Sequence, residues 1–154
     1  MRNTNVFYLW IFILLLFSCN DSGKKGPFES RDTSVIAEKA NYYFQQKEYF
    51  KAKLLYDTLI LIDSSKGEYY FKRGYSKSML LNDDNGAIVD YFKSINHNYQ
   101  KKQSAYLNIG VLYTSKGSYD SALYFYDECL KLDSGNSKAI KGKEELDKIL
   151  NNLK

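Results

Sequence analysis

The sequence predicts an all-α chain: an α-solenoid of three helix–turn–helix repeats closed by a C-terminal capping helix. Three observations carry this. Ala52, Ala87 and Ala122 recur 35 residues apart, and four residues after each stands a tyrosine, Tyr56, Tyr91 and Tyr126. The apolar side chains between these points follow a helical period, not an alternating one. The single Pro, at position 27, leaves the rest of the 154 residues free for uninterrupted helices, since Pro inside a helix costs about 3 kcal/mol.

Taken in order, the chain opens with an address. Arg2 is the one charge in residues 1–5, and Val6 to Phe17 then run without a side chain more polar than Tyr8 or Trp10. A membrane-spanning helix needs about 20 apolar residues, whereas the apolar part of a signal peptide needs about 7–15. The run ends on Leu16, Phe17, Ser18 and Cys19, and this segment resembles a bacterial lipoprotein signal. The resemblance implies that residues 1–18 are a signal peptide and that Cys19 is the lipid attachment site. Phe17 is bulkier than the usual residue before the small one. A secretory signal with an incidental Cys19, or a short membrane helix, are the other readings. Residues 19–32 hold Gly23, Gly26, Pro27 and six charges with almost no apolar periodicity, and read as a flexible linker.

From Thr33 the repeat begins, with expected units at 33–66, 67–102 and 103–136 and a closing helix at 137–154. Small residues recur before the alanine column at Ala40, Gly74 and Gly110. The interval to that column is 12, 13 and 12 residues, so the second copy carries one extra residue in its internal turn, expected at Asn82 to Gly86. Small residues where two helices cross let the backbones approach, and the tyrosine rings fill the space beside them. Each hairpin has a half-covered apolar face and needs a neighbour. The closing helix is expected to bury Ile140, Leu146, Ile149, Leu150 and Leu153.

These columns resemble the tetratricopeptide repeat, a helix–turn–helix unit of about 34 residues. The third copy matches with Gly110, Tyr113, Gly117, Tyr119, Ala122, Tyr126 and Cys129. The first matches with Ala40, Tyr43, Tyr49, Ala52 and Tyr56, but has Lys47 in place of Gly and Leu59 in place of a small residue. The second keeps Gly74, Ala87, Tyr91 and Ser94 but has Lys77 where an aromatic belongs, and is expected to be the least stable. Nine of the 15 tyrosines fall in core columns, so packing accounts for most of them and no aromatic cofactor box is needed.

The resemblance also implies where a partner binds. The first helix of each repeat lines a concave groove, and the positions that face ligands carry over to Asn41 and Phe44, then Phe71, Lys72, Tyr75 and Met79, then Leu107, Asn108 and Val111. This gives an apolar centre with a few polar handles, as a peptide or helix groove requires. A carboxylate clamp for an acidic chain end is not expected, because Ala37 and Lys72 stand where other clamp members belong.

Catalytic chemistry is not indicated. Residues 22–26 lack the first glycine of a phosphate loop. A calcium loop around Gly86 would begin at Leu81 and end at Phe92, neither of them a ligand. His97 has no second metal-type ligand at useful spacing, and Cys129 sits in a buried small-residue column. Interleaved charges and a net charge of +4 argue against a nucleic-acid surface. The sequence therefore predicts a lipid-anchored protein–protein interaction module of the bacterial cell envelope. It is not expected to be an enzyme or to hold a cofactor, metal or small-molecule substrate. Its expected partner is another protein or peptide, with the membrane reached through the N-terminal lipid. The outer membrane is the favoured location, with the protein facing the periplasm or the surface. The alternative is a structural, self-associating component of an envelope complex.

Overall fold

The computed structural model describes residues 27–80 and 83–152, and every element among them is an α-helix. The order is α1 Pro27–Gln45, α2 Tyr49–Ile62, α3 Gly67–Met79, α4 Asp84–Asn96, α5 Lys102–Ser115, α6 Tyr119–Leu132 and α7 Ser137–Asn152. The helices pair as α1 with α2, α3 with α4 and α5 with α6, and α7 closes the far end of the unit Asp32–Lys154. The signal segment, Cys19 and linker residues 19–26 lie outside the described residues, as does Leu153. α1 starts at Pro27, within the stretch expected as linker. Proline suits a first helical position, where its missing N–H has no partner to lose and its φ is already helical.

Short turns fix the hairpins. Beyond α1, Lys47 has φ 60°, its N–H bonds to the carbonyl of Phe44 at 3.1 Å, and the N–H of Glu48 bonds to that of Tyr43 at 2.9 Å. Gly117 with φ 70° and Ser118 repeat this beyond α5, bonding to Thr114 and Tyr113. These are Schellman turns, in which a left-handed residue lets the last carbonyls of a helix find donors. Lys47 thus fills a glycine's place in the same conformation, at a cost of order 1 kcal/mol. The second copy turns differently. Asp83 caps α4 by accepting the Gly86 N–H at 2.9 Å. Asp84 to Gly86 are therefore helical, so three of the five residues expected in the turn at 82–86 belong to α4.

Tyrosine seats on glycine hold the third copy together. A Cβ on Gly110 would lie 2.7 Å from the Tyr126 ring, and one on Gly142 of α7 would lie 2.6 Å from it. The ring is clamped between two backbones, with Ala122, Cys129, Ala139 and Leu146 buried around it. Burial pushes the Cys129 thiol pKa up, aided by Asp133, as suits a packed residue. On α7 only Ala139 and Leu146 are buried; Ile140 and Ile149, expected inside, are 40% and 37% exposed. The seam is one face wide, and Ile140 sits about 100° of rotation from Ala139.

The second hairpin is held by charge. Its Lys77 stands in the column of Tyr43 and Tyr113, and its Asp90 stands in the column of Leu55 and Phe125. In the third copy that pair is a stack of Tyr113 on Phe125, centroids 5.4 Å apart. In the second it is an ion pair: Lys77 Nζ lies 2.9 Å from Asp90, which is 1% exposed. Arg73 adds a two-point contact to the same carboxylate, Nε at 2.8 Å and an Nη at 2.5 Å, and its other Nη reaches Asp57 on α2 at 2.9 Å. Burial works against the guanidinium charge, but its hydrogen bonds and charge pairing with Asp90 and Asp57 outweigh that, and its pKa rises. The departure that marked this copy as weak therefore has a matching change across the hairpin. Removing one partner of a buried pair strands the others. Asp90→Ala is expected to cost about 3–5 kcal/mol in urea unfolding. Carrying the third copy's residues across, as Arg73→Ile, Lys77→Tyr and Asp90→Phe together, should recover most of that loss.

Candidate functional site

The groove positions carried over from the sequence separate into three groups. Tyr75, Met79, Asn108 and Val111 come together around a cavity of about 300 Å³ between α3 and α5. Ser78, Asp84, Tyr91, Leu112 and Ser115 complete its wall. Met79 and Val111 are 43% and 49% exposed, so two apolar side chains face solvent at its mouth. Its lining is mostly apolar, with polar groups spaced around it. Tyr91 is part of its lining; burial raises its hydroxyl pKa, while side-chain hydrogen bonding with Ser78 and Asn108 opposes the rise. Phe44 borders the site through Tyr75, their rings meeting edge to face at 5.3 Å.

The second group, Asn41 and Lys72, is paired internally. The Asn41 side-chain oxygen accepts from Lys72 Nζ at 2.6 Å and from the Tyr56 hydroxyl at 2.9 Å. Lys72 also contacts Glu68 at 2.7 Å and lies 5.9 Å from the centre of the Phe44 ring. Both polar handles thus tie α1, α2 and α3 together.

The third group, Phe71 and Leu107, does not line the cavity. The two share one column. Phe71 stacks on Tyr99 at 4.6 Å and tilts against Tyr91 at 5.5 Å, while Leu107 packs into the cluster around Tyr126. Their side chains point along the solenoid, toward the seam with the next element.

Sequence reasoning missed Asp84, Tyr91 and Leu112 as wall residues. Asp84 was hidden because the turn was placed over it, and Tyr91 because a core column has one side facing the groove. A wider hollow, about 540 Å³, opens at the loop edge among Lys66, Glu68, His97, Tyr99 and Lys101. It has Tyr69 and Tyr99 but no aliphatic anchor. Exposed His97 stacks on Tyr70 at 5.1 Å. No group of three or more His, Cys, Asp or Glu able to hold a metal occurs among the described residues.

Residues 104–136 match the model of the tetratricopeptide repeat family. The described chain is a tetratricopeptide-type solenoid. It is similar to the Arabidopsis OM64 TPR domain at 26% identity and TM-score 0.69, over 75% of this chain and 94% of that one. It is also similar to the first TPR of Spaghetti (RPAP3) bound to an HSP90 peptide, at 22% identity and TM-score 0.70, over 79% and 94% of the two chains. The Yersinia enterocolitica type III secretion translocator chaperone SycD, in an alternative dimer, shares the fold at 14% identity and TM-score 0.63, over 83% and 96%. No curated protein matches the chain.

Tyrosines set the alkaline behaviour of this solenoid. Burial raises the Tyr56 and Tyr91 hydroxyls well above the ordinary value of 10.0. A group whose folded pKa is raised contributes stability that is complete below its unfolded pKa and is lost as pH rises toward the folded one. Melting temperature should therefore hold steady up to about pH 9 and fall steeply above pH 10. Absorbance at 295 nm should show these two tyrosines ionising only together with loss of helical circular dichroism.

Proposed function

We propose that this chain is a protein–protein interaction module whose concave face takes an apolar segment of another protein. The carrying observation is the cavity between α3 and α5, with Met79 and Val111 exposed at its mouth. Its volume suits one or two large apolar side chains, and the Asn108 amide stands beside it to meet the polar backbone that accompanies them. An acidic chain end is disfavoured, because Lys72 is already engaged by Glu68 and Asn41. The RPAP3 structure holds an HSP90 peptide, SRMEEVD; the chemistry proposed here is apolar instead. A photo-crosslinking residue at Val111 should yield a discrete adduct in cells, and Met79→Asp should reduce its yield about tenfold or more. Equal yields from Val111 and from convex-face Val89, or no effect of Met79→Asp, would contradict the reading.

We also propose that Cys19 carries lipid and tethers the module in the bacterial cell envelope, with the outer membrane favoured. Support comes from the apolar run Val6–Phe17 followed by Ser18 and Cys19. Labelled fatty acid should attach to the wild type and not to Cys19→Ala; equal labelling of both would refute the tether.

A further inference from the structure

Every described helix that follows a hairpin uses the same two columns to lie on it. One column holds Tyr69, Ala105 and Ala139, and the other holds Ser76, Leu112 and Leu146. Ala105, Ala139, Ser76 and Leu146 are 0% exposed, Leu112 is 8%, and Tyr69 packs against Tyr56 of the preceding hairpin. A third column between them carries a cation in two of the three seams. Arg73 reaches Asp57 at 2.9 Å, and Lys143 pairs with Asp127, in each case a carboxylate of the preceding hairpin.

In α1 these columns hold Val35, Tyr42 and Lys39. Val35 and Tyr42 are each 57% exposed, and Lys39 is exposed without a carboxylate partner among the described residues. The helix thus carries a complete seam with no described hairpin against it. At the other end, α7 presents exposed Glu144, Asp147 and Lys148, the polar outer face that ends a solenoid.

The seam on α1 is complementary to itself. Val35, Glu38, Lys39 and Tyr42 share one helical face, spread over about 100°. Laid antiparallel on its twin, with the crossing between Glu38 and Lys39, this face sets each Val35 against a tyrosine and each Glu38 against a lysine. A parallel pairing would oppose like charges instead. An antiparallel pairing is isologous, so it closes at two copies. The far end of α7 is mostly charged, with Ile140 and Ile149 its exposed apolar side chains.

We propose that two copies of this chain dimerise through α1, Val35 packing on the partner's Tyr42 and Lys39 pairing with the partner's Glu38. This surface lies on a different side of α1 from Asn41 and Phe44, so the groove reading and this one stand or fall separately. Two helix faces make a small contact, at the weak end of specific interfaces. The tether at Cys19, where present, raises the local concentration that drives it without altering its geometry.

The test is sedimentation velocity of the full chain in mild detergent over a range of concentrations. The wild type should shift from monomer to dimer as concentration rises. Lys39→Glu sets two glutamates against each other at both contacts and should weaken the dimer about tenfold or more. The double variant Glu38→Lys, Lys39→Glu restores opposite charges and should return to within about threefold of the wild type. These positions are exposed, so circular dichroism should be unchanged. A monomer at every concentration, a Lys39→Glu dimer as strong as the wild type, or a double variant no better than the single one would each overturn the proposal. The first is also the result expected if another protein's hairpin covers this face.

Discussion

The carboxylate of Asp90 has almost no access to water, and a charge in that position must be matched by the protein around it. Arg73 and Lys77 supply the match from α3, and Arg73 extends it to Asp57 on α2. One buried charge therefore fixes the relation of three helices that belong to two hairpins. Such a cluster specifies an arrangement more than it stabilises one, because desolvating three charges offsets much of their attraction. The same hairpin holds Ser76 and Ser94, so all three buried polar side chains among the described residues lie in α3 and α4. Ser76 donates to the Lys72 carbonyl and Ser94 to the Tyr91 carbonyl, so both are satisfied within their own helices. The middle hairpin is well determined, and its interior is the most polar of the three.

That combination bears on the groove. Tyr75 and Met79 project from α3 and Tyr91 from α4, so one wall of the cavity belongs to the hairpin with the most polar interior. Binding surfaces tend to be drawn from the less stable parts of a fold, where small adjustments are cheap. The internal use of Lys72 and Asn41 removes the obvious polar handles from the concave face. What remains is shape and apolar surface, with Asn108 as a polar contact.

Much of the fold was legible in sequence because its columns repeat. Alanine, tyrosine and glycine positions placed the hairpins, and the single extra residue of the second copy does fall in its internal turn. Three features were not legible, each for a physical reason. Lys77 read as a defect because its compensation, Asp90, lies thirteen residues away across a hairpin. The turn was misplaced because Asp83, one of several polar residues in a row, is the one whose side chain caps α4. Of the nine groove residues, four meet at the cavity. The packing of Phe71 and Leu107 was not legible because repeat position gives a helix face without saying how far the next element wraps over it.

Native-state hydrogen exchange, measured helix by helix under increasing denaturant, tests most directly the claim that polar pairing holds the middle hairpin. The amides of α3 and α4 should open at a lower free energy than those of α5 and α6, as a separate cooperative unit. Equal protection across both hairpins, or earlier opening of α5 and α6, would contradict it.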